Sequence, residues 1–262
     1  MVPVELVTYS GVALSGALVL QSVVYMLALR RKRVDIVDVA WGLSFIAIIA
    51  AMWLYKPPQS AAVYIADALV VVWGTRLAWH IGKRFLRSQR QDERYTQLMA
   101  KWPKQFVALQ LFFKIFALQA VLATIISLPM VVLHVYQPDI SWVAIAGISV
   151  WVIGFIFEAV ADWQLARFLQ QPQHPELMTT GVWRYSRHPN YFGEMAMWWG
   201  IAIMSFATPA GWLGVVGAAT ITWLLVFVSG VPLAEASARR KKGWQAYART
   251  TSILFPLPPR RN

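Results

Sequence analysis

The sequence predicts an all-α polytopic membrane protein of about seven transmembrane helices, with the N-terminus outside and the C-terminus cytoplasmic. Three observations carry this. Hydrophobic residues make up 58% of the 262-residue chain and charged residues only 14%, where soluble domains are about a quarter charged. The apolar residues fall into runs of membrane-spanning length, ~20 residues. Lys and Arg fall in alternate connections between those runs, as the positive-inside rule requires of cytoplasmic loops. Spans and short loops account for the length, so one seven-helix membrane domain over residues 1–262 is expected, with no separate soluble domain.

Apolar runs bounded by charge place helices over residues 6–29, 34–55, 61–81, 106–136, 140–162, 191–209 and 211–233. The first is too long for a signal-peptide core and has no Lys or Arg before it, so it reads as a retained helix. The second carries Asp35 and Asp38 at its start. The third carries Arg76, His80, Lys83, Arg84 and Arg87 at helical steps, one face running from membrane into cytosol. The fourth exceeds one bilayer thickness and must tilt, bend at Pro129 or start in the interface. On the fifth, Glu158 and Asp162 share a face four residues apart, which calls for a shared cation or donors. The sixth begins at Pro189, a residue suited to the first helical position and one that keeps His188 out of the helix. The seventh is apolar throughout and leads into a basic tail.

The charge count tests this arrangement. Residues 30–33 hold four Lys and Arg, residues 76–104 hold eight, 167–187 three and 239–261 seven, which leaves only Lys56 and Lys114. With seven spans the four basic connections share one side. The net charge of +12 is compatible with anionic lipid, a phosphate ligand or nucleic acid. Its dispersal over four loops at a bilayer surface, without a binding motif, argues against nucleic acid. The chain has no cysteine and four histidines, none in a tight metal-spacing pair, so neither a disulfide framework nor a metal site is expected.

An ionisable side chain at membrane depth costs a few kcal/mol and must face a partner, water or a ligand. Asp35, Asp38, Asp67, Arg76, His80, Lys114, Glu158, Asp162 and Glu194 fall in this class. All but Asp67 lie in the cytoplasmic halves of their helices. The pattern is a polar pocket opening inward beneath an apolar cap. The densest stretch is Gly181-Val-Trp-Arg-Tyr-Ser-Arg-His-Pro-Asn-Tyr-Phe-Gly-Glu194. There the free N–H groups of a first helical turn meet Arg184 and Arg187 as a phosphate site. Asn190, Tyr191 and Glu194 offer groups for a ribose or an amide. A well-anchored helix start and snorkelling cations are the simpler explanation of the same residues.

The Arg184-to-Glu194 segment resembles the C-terminal signature of the steroid 5α-reductase superfamily, most closely its bacterial branch of uncharacterised membrane proteins. Residues 34–42, 73–80, 92–95, 157–164, 230–233 and 247–256 resemble that branch as well, in order along nearly the whole chain. The resemblance implies an integral, multi-pass reductase, in the inner membrane if the source is bacterial, that takes NADPH from the cytosol and delivers hydride to the enone double bond of a steroid or similar lipid. It assigns Glu158 and Asp162 to a cofactor-binding pair and Asn190 and Glu194 to the nicotinamide and ribose. Arg76, Arg84, Arg184, Arg187, His188, Tyr191 and Tyr247 join the cofactor-binding set. The chain departs from the steroid enzymes in one respect: their Gln-Glu pair on the second helix and tyrosine on the third are not found. Asp38, if protonated, or His80, as imidazolium, stands in as the candidate proton donor. An Arg-His-Pro-x-Tyr segment also precedes a membrane helix in isoprenylcysteine-type and phospholipid methyltransferases. S-adenosylmethionine therefore stays open as the alternative cofactor.

Overall fold

The computed structural model describes residues 3–88, 90–103 and 105–260. Helices α1 (Val4–Arg31), α2 (Ile36–Tyr55) and α3 (Ala61–Arg87) lead the chain, and the short α4 (Glu93–Ala100) lies in the connection that follows. Next, α5 (Val107–Leu111) runs through a π-helical segment, Phe112–Ala117, into α6 (Leu118–Ile126), with α7 (Leu128–Tyr136) after a break. Then come α8 (Trp142–Leu169), α9 (Pro189–Ser205) and α10 (Trp212–Trp223). A second π-helical segment, Leu224–Val228, joins α10 to α11 (Val231–Ala238), and α12 (Trp244–Thr250) closes the helical part.

Six helices among the described residues are long and apolar enough to cross a bilayer: α1, α2, α3, Val107–Ile126, α8 and Trp212–Ala238. The chain is a multi-spanning, all-α integral membrane protein. Helix α9, at 17 residues, sits at the lower limit of spanning length.

Local chemistry sets the helix ends. Ser60 and Ser141 cap α3 and α8 by accepting from the N–H of Ala62 at 3.1 Å and Ala144 at 3.2 Å. Lys32, at φ 53°, turns its N–H back onto the carbonyls of Ala28 and Leu29 and ends α1. The long run 106–136 breaks at Ser127, because Pro129 in the first turn of α7 has no N–H to continue the ladder. His188, at φ −138° and ψ 61°, stays outside α9 as its proline neighbour dictates. Helices α3 and α8 run past the expected 81 and 162 to Arg87 and Leu169. Apolar runs mark where lipid ends, and a polar helix continues until a breaker stops it.

Helices α8 and α9 make the tightest pair. A Cβ on Gly193 would lie 2.6 Å from the Glu158 nitrogen, and one on Gly154 2.6 Å from the Gly193 carbonyl. Only glycine lets the backbones meet this closely. Across the bundle, Phe45, Trp73 and Trp198 pack ring against ring, with centroids 4.8–5.4 Å apart. Trp73 and Trp198 are the largest fully buried side chains. This aromatic layer plugs the bundle beneath the polar pocket.

Candidate functional site

A cavity of about 490 Å³ opens among α2, α3, α4, α8, α9 and the two π-helical segments. It has two kinds of wall. One is polar: Asp38, His80 and Arg84 from α2 and α3, and Glu158, Asp162, Asn190, Tyr191 and Glu194 from α8 and α9. The facing wall is mostly apolar, with Leu118, Leu122, Ile221, Leu224 and Leu225 as its main side chains. The volume lies in the range of small-molecule sites.

The polar wall is built on the α8–α9 glycine contact. Glu158 lies one turn beyond Gly154 and Glu194 directly follows Gly193, so their close approach sets both carboxylates on the same wall. The expected shared partner of Glu158 and Asp162 is Arg76 of α3. Its guanidinium bonds Asp162 Oδ2 at 2.9 Å and pairs with Glu158 Oε1. Arg76 therefore stands behind the wall and bridges two of its carboxylates. Asn190 Nδ2 reaches Asp162 Oδ1 at 3.4 Å. Three buried acceptors in the cavity keep no protein partner among the described residues: Glu158 Oε2, Asn190 Oδ1 and Gln119 Oε1. Glu158 is only 3% exposed, and a buried carboxylate oxygen without a donor is costly. The Trp73 indole N–H and two guanidinium nitrogens of Arg76, also without a hydrogen-bond partner among the described residues, lie on the same side of the bundle.

Helix α4 contributes two residues that the sequence reading did not assign to the site. Tyr95 donates to Asp38 Oδ1 at 2.5 Å, and Arg94 bonds Asp38 Oδ2 at 2.9 Å. Both oxygens of Asp38 are thus engaged by α4. Asp92 caps α4 by accepting from the Arg94 N–H at 2.9 Å. The Arg94 guanidinium on Asp92 also lowers that carboxyl below its usual range. Burial raises the Tyr95 phenol. A neighbouring cavity of about 310 Å³, lined by Ser88, Arg90 and Gln91, shares Asp38, Ile81 and Arg84 with the first and continues it past the end of α3.

Four residues expected at the site lie elsewhere. Arg187 is engaged: its Nε and Nη2 bind Glu235 Oε1 at 2.9 and 2.7 Å, and its Nη1 bonds the carbonyls of Ala248 and Thr251. It ties the start of α9 to α11 and α12 and commits four of its five N–H donors there. Tyr247 donates to the Trp183 carbonyl at 2.5 Å, and burial raises its phenol. Arg184 lines a separate surface pocket with Tyr247. His188 lies beside the cavity, stacked on Tyr191 with ring centroids 5.3 Å apart. Burial lowers its basicity against the opposing pull of Glu235. On α3, Lys83 turns out over the Trp79 ring at 4.5 Å and Arg87 is exposed, so the basic stripe splits and only Arg76, His80 and Arg84 serve the pocket.

The remaining buried charges find protein partners. Arg33 pairs with Asp35 at 2.6 Å. Asp67, away from the pocket, binds His134 at 3.0 Å and the Trp53 indole at 2.6 Å. Among the described residues no three His, Asp or Glu side chains are grouped as metal ligands.

The model of one family, described as "Protein of unknown function (DUF1295)", matches residues 24–251. No curated protein and no solved structure matches the chain.

Proposed function

We propose that this chain, which belongs to the DUF1295 family, is a membrane reductase that uses NADPH to saturate a carbon–carbon double bond of a hydrophobic lipid. The reading includes α9 as a seventh span, the N-terminus outside and the C-terminus cytoplasmic, which sets the cavity at the cytoplasmic face. It also keeps the likeness to the steroid 5α-reductase superfamily.

The observation that carries the reading is the pairing of the two walls. Unpartnered acceptors on one wall, Glu158 Oε2 and Asn190 Oδ1, suit the carboxamide and ribose donors of a nicotinamide nucleotide. Arg84, where the two cavities join, suits its phosphates. The apolar wall suits a lipid. The nucleotide, when bound, supplies hydride; the residues of the chain orient the partners and move the proton.

Glu158, Asn190 and Glu194 hold the hydride-donating end against α8 and α9. Arg76 fixes Glu158 and Asp162 in place, so that wall needs no rearrangement as the reaction proceeds. His80 lines the cavity with no hydrogen bond to its ring among the described residues. Its N–H is placed to give a proton to the carbon or oxygen on which negative charge develops. Asp38, with its oxygens committed to Tyr95 and Arg94, holds α4 across the mouth and keeps water out. The aromatic layer of Phe45, Trp73 and Trp198 seals the far end.

A second reading rests on the acidity of the same wall. Glu158, Asp162 and Glu194 also suit the sulfonium and ammonium of S-adenosylmethionine, which makes a membrane methyltransferase the alternative. Thermal denaturation of the purified protein separates the two. At 100 times its Kd a ligand adds about 2.7 kcal/mol of stability, a readily measured shift. NADPH is expected to raise the melting temperature, and Asn190→Ala or Glu194→Ala to reduce that rise without unfolding the protein. A rise with S-adenosylmethionine alone reverses the order of the readings.

A further inference from the structure

We infer that the lipid taken by this cavity carries a negatively charged head, a carboxylate or a phosphate, and slides in from the bilayer between the two π-helical segments to set that head on Lys114. The inference rests on the reading above, in which the polar wall belongs to the nucleotide and the apolar wall to the substrate.

The opening is visible in which residues do two things at once. Leu118 and Val228 line the cavity and are also 49% and 44% exposed. They stand on neighbouring helices, Leu118 just past the first π-helical segment and Val228 at the end of the second. Farther out, α6 and α7 pack on α10, whereas the segments Phe112–Ala117 and Leu224–Val228 make no comparable contact with each other. Both irregular turns therefore flank one gap. A π turn carries an extra residue per hydrogen-bonded ring and is retained mainly where a helix surface has a task. Here the two turns direct Lys114, Ile115, Leu224, Leu225 and Val228 to the cavity.

The head group follows from charge. Lys114 lies seven residues after Val107, roughly 10 Å along the helix, where an ammonium is costly without compensation. Its contacts are neutral: Gln110 Oε1 at 2.9 Å and the face of Trp102 at 4.9 Å. Of the four acids in the cavity, Asp38, Glu158 and Asp162 are bound to Arg94 and Arg76, and among the described residues neither they nor Glu194 pairs with Lys114. Lys114 is exposed and leans toward Gln110 and Trp102 as a snorkelling lysine does, and the same side chain also lines the cavity beside the apolar gap. An amphiphile seated with its tail along Leu118, Leu122 and Ile221 would bring its head to the ammonium and supply the missing counter-charge.

Binding of radiolabelled oleate to the full chain in nanodiscs of zwitterionic lipid tests this. Unlabelled oleate is expected to displace the label at concentrations at least about tenfold lower than methyl oleate, the gain of one charge-assisted contact. Dodecyl phosphate distinguishes the two head groups by the lower or higher concentration at which it competes. Lys114→Met should erase the preference for acid over ester, and Lys114→Arg should keep it. The double variant Leu118→Trp/Val228→Trp should slow oleate binding about tenfold. Equal displacement by ester and acid in the wild type, or a preference that survives in Lys114→Met, overturns the head-group assignment. Wild-type binding rates in the tryptophan variant overturn the route. Stabilisation by NADPH, measured on the same Lys114→Met sample, is expected to persist; its absence in the wild type alongside an intact oleate preference would count against the nucleotide alone.

Discussion

Tyr95 reaches back from the connection after α3 to Asp38 and donates to it at 2.5 Å. The contact matters because α4 has no fully buried residue and otherwise packs only through the partly buried Tyr95 and Met99. A helix of eight residues is unstable alone, so the bonds from Tyr95 and Arg94 to Asp38 hold it over the mouth. Tyr95→Phe removes a single hydrogen bond, worth about 1 kcal/mol. The expected result is roughly fivefold weaker nucleotide binding with the melting temperature of the free protein nearly unchanged. A titration followed by thermal shift reads both quantities.

Arg76 should behave in the opposite way. Its guanidinium neutralises two carboxylates whose side chains are only 4% and 10% exposed. Arg76→Met leaves both charges buried without a cation, a loss on the order of 3 kcal/mol. The expected outcome is a large drop in melting temperature that Glu158→Gln combined with Asp162→Asn largely restores. Failure of that rescue would show that Arg76 acts through packing on α8 rather than through charge.

The α8–α9 contact gives a third expectation. In Gly193→Ala the new methyl group would stand 2.6 Å from a backbone nitrogen of Glu158, and backbone cannot rotate aside as a side chain can. Overpacking of this kind costs about 1–3 kcal/mol. Because Glu158 and Glu194 move apart with the helices, nucleotide binding should fall with stability in this variant. Gly11→Ala serves as the control, since nothing lies within 4 Å of its added Cβ.

These three sites differ in how far the sequence announced them. The demand of Glu158 and Asp162 for a common cation was legible from their spacing on one helix, although nothing in the spacing named Arg76 as the donor. The break near Pro129 and the exclusion of His188 from α9 followed from proline chemistry alone. Arg94, Tyr95 and Gln119 were not assigned to the site. The first two lie on a polar helix outside the membrane, where a tyrosine and an arginine carry no signature of function, and only the fold brings them to Asp38. The signal was the resemblance of residues 92–95 to the reductase branch, which marked the segment without giving Arg94 or Tyr95 a role. Arg187 and Tyr247 show the converse: a sequence shows donors but not the carbonyls and carboxylates, here from α11, α12 and Trp183, that they engage. The π-helical turns were invisible, since an inserted residue leaves apolar periodicity almost intact.

His188 provides the last expectation, in pH. Burial holds the folded-state basicity of this imidazole below its ordinary value of 6.5, so the unfolded chain binds its proton first as pH falls. Stability from His188 is therefore fully present above about pH 6.5 and is lost as pH drops from there toward the lowered folded value. The wild type should show a melting temperature that declines between pH 7 and 5. His188→Gln, which keeps a polar side chain beside Tyr191 and Glu235 but cannot titrate, should show a shallower decline over the same window. An identical slope in both proteins would place the pH dependence on other groups. A steeper slope in the variant would mean that Glu235 outweighs burial, so that the folded protein holds the charged imidazolium and His188 stabilises it at low pH.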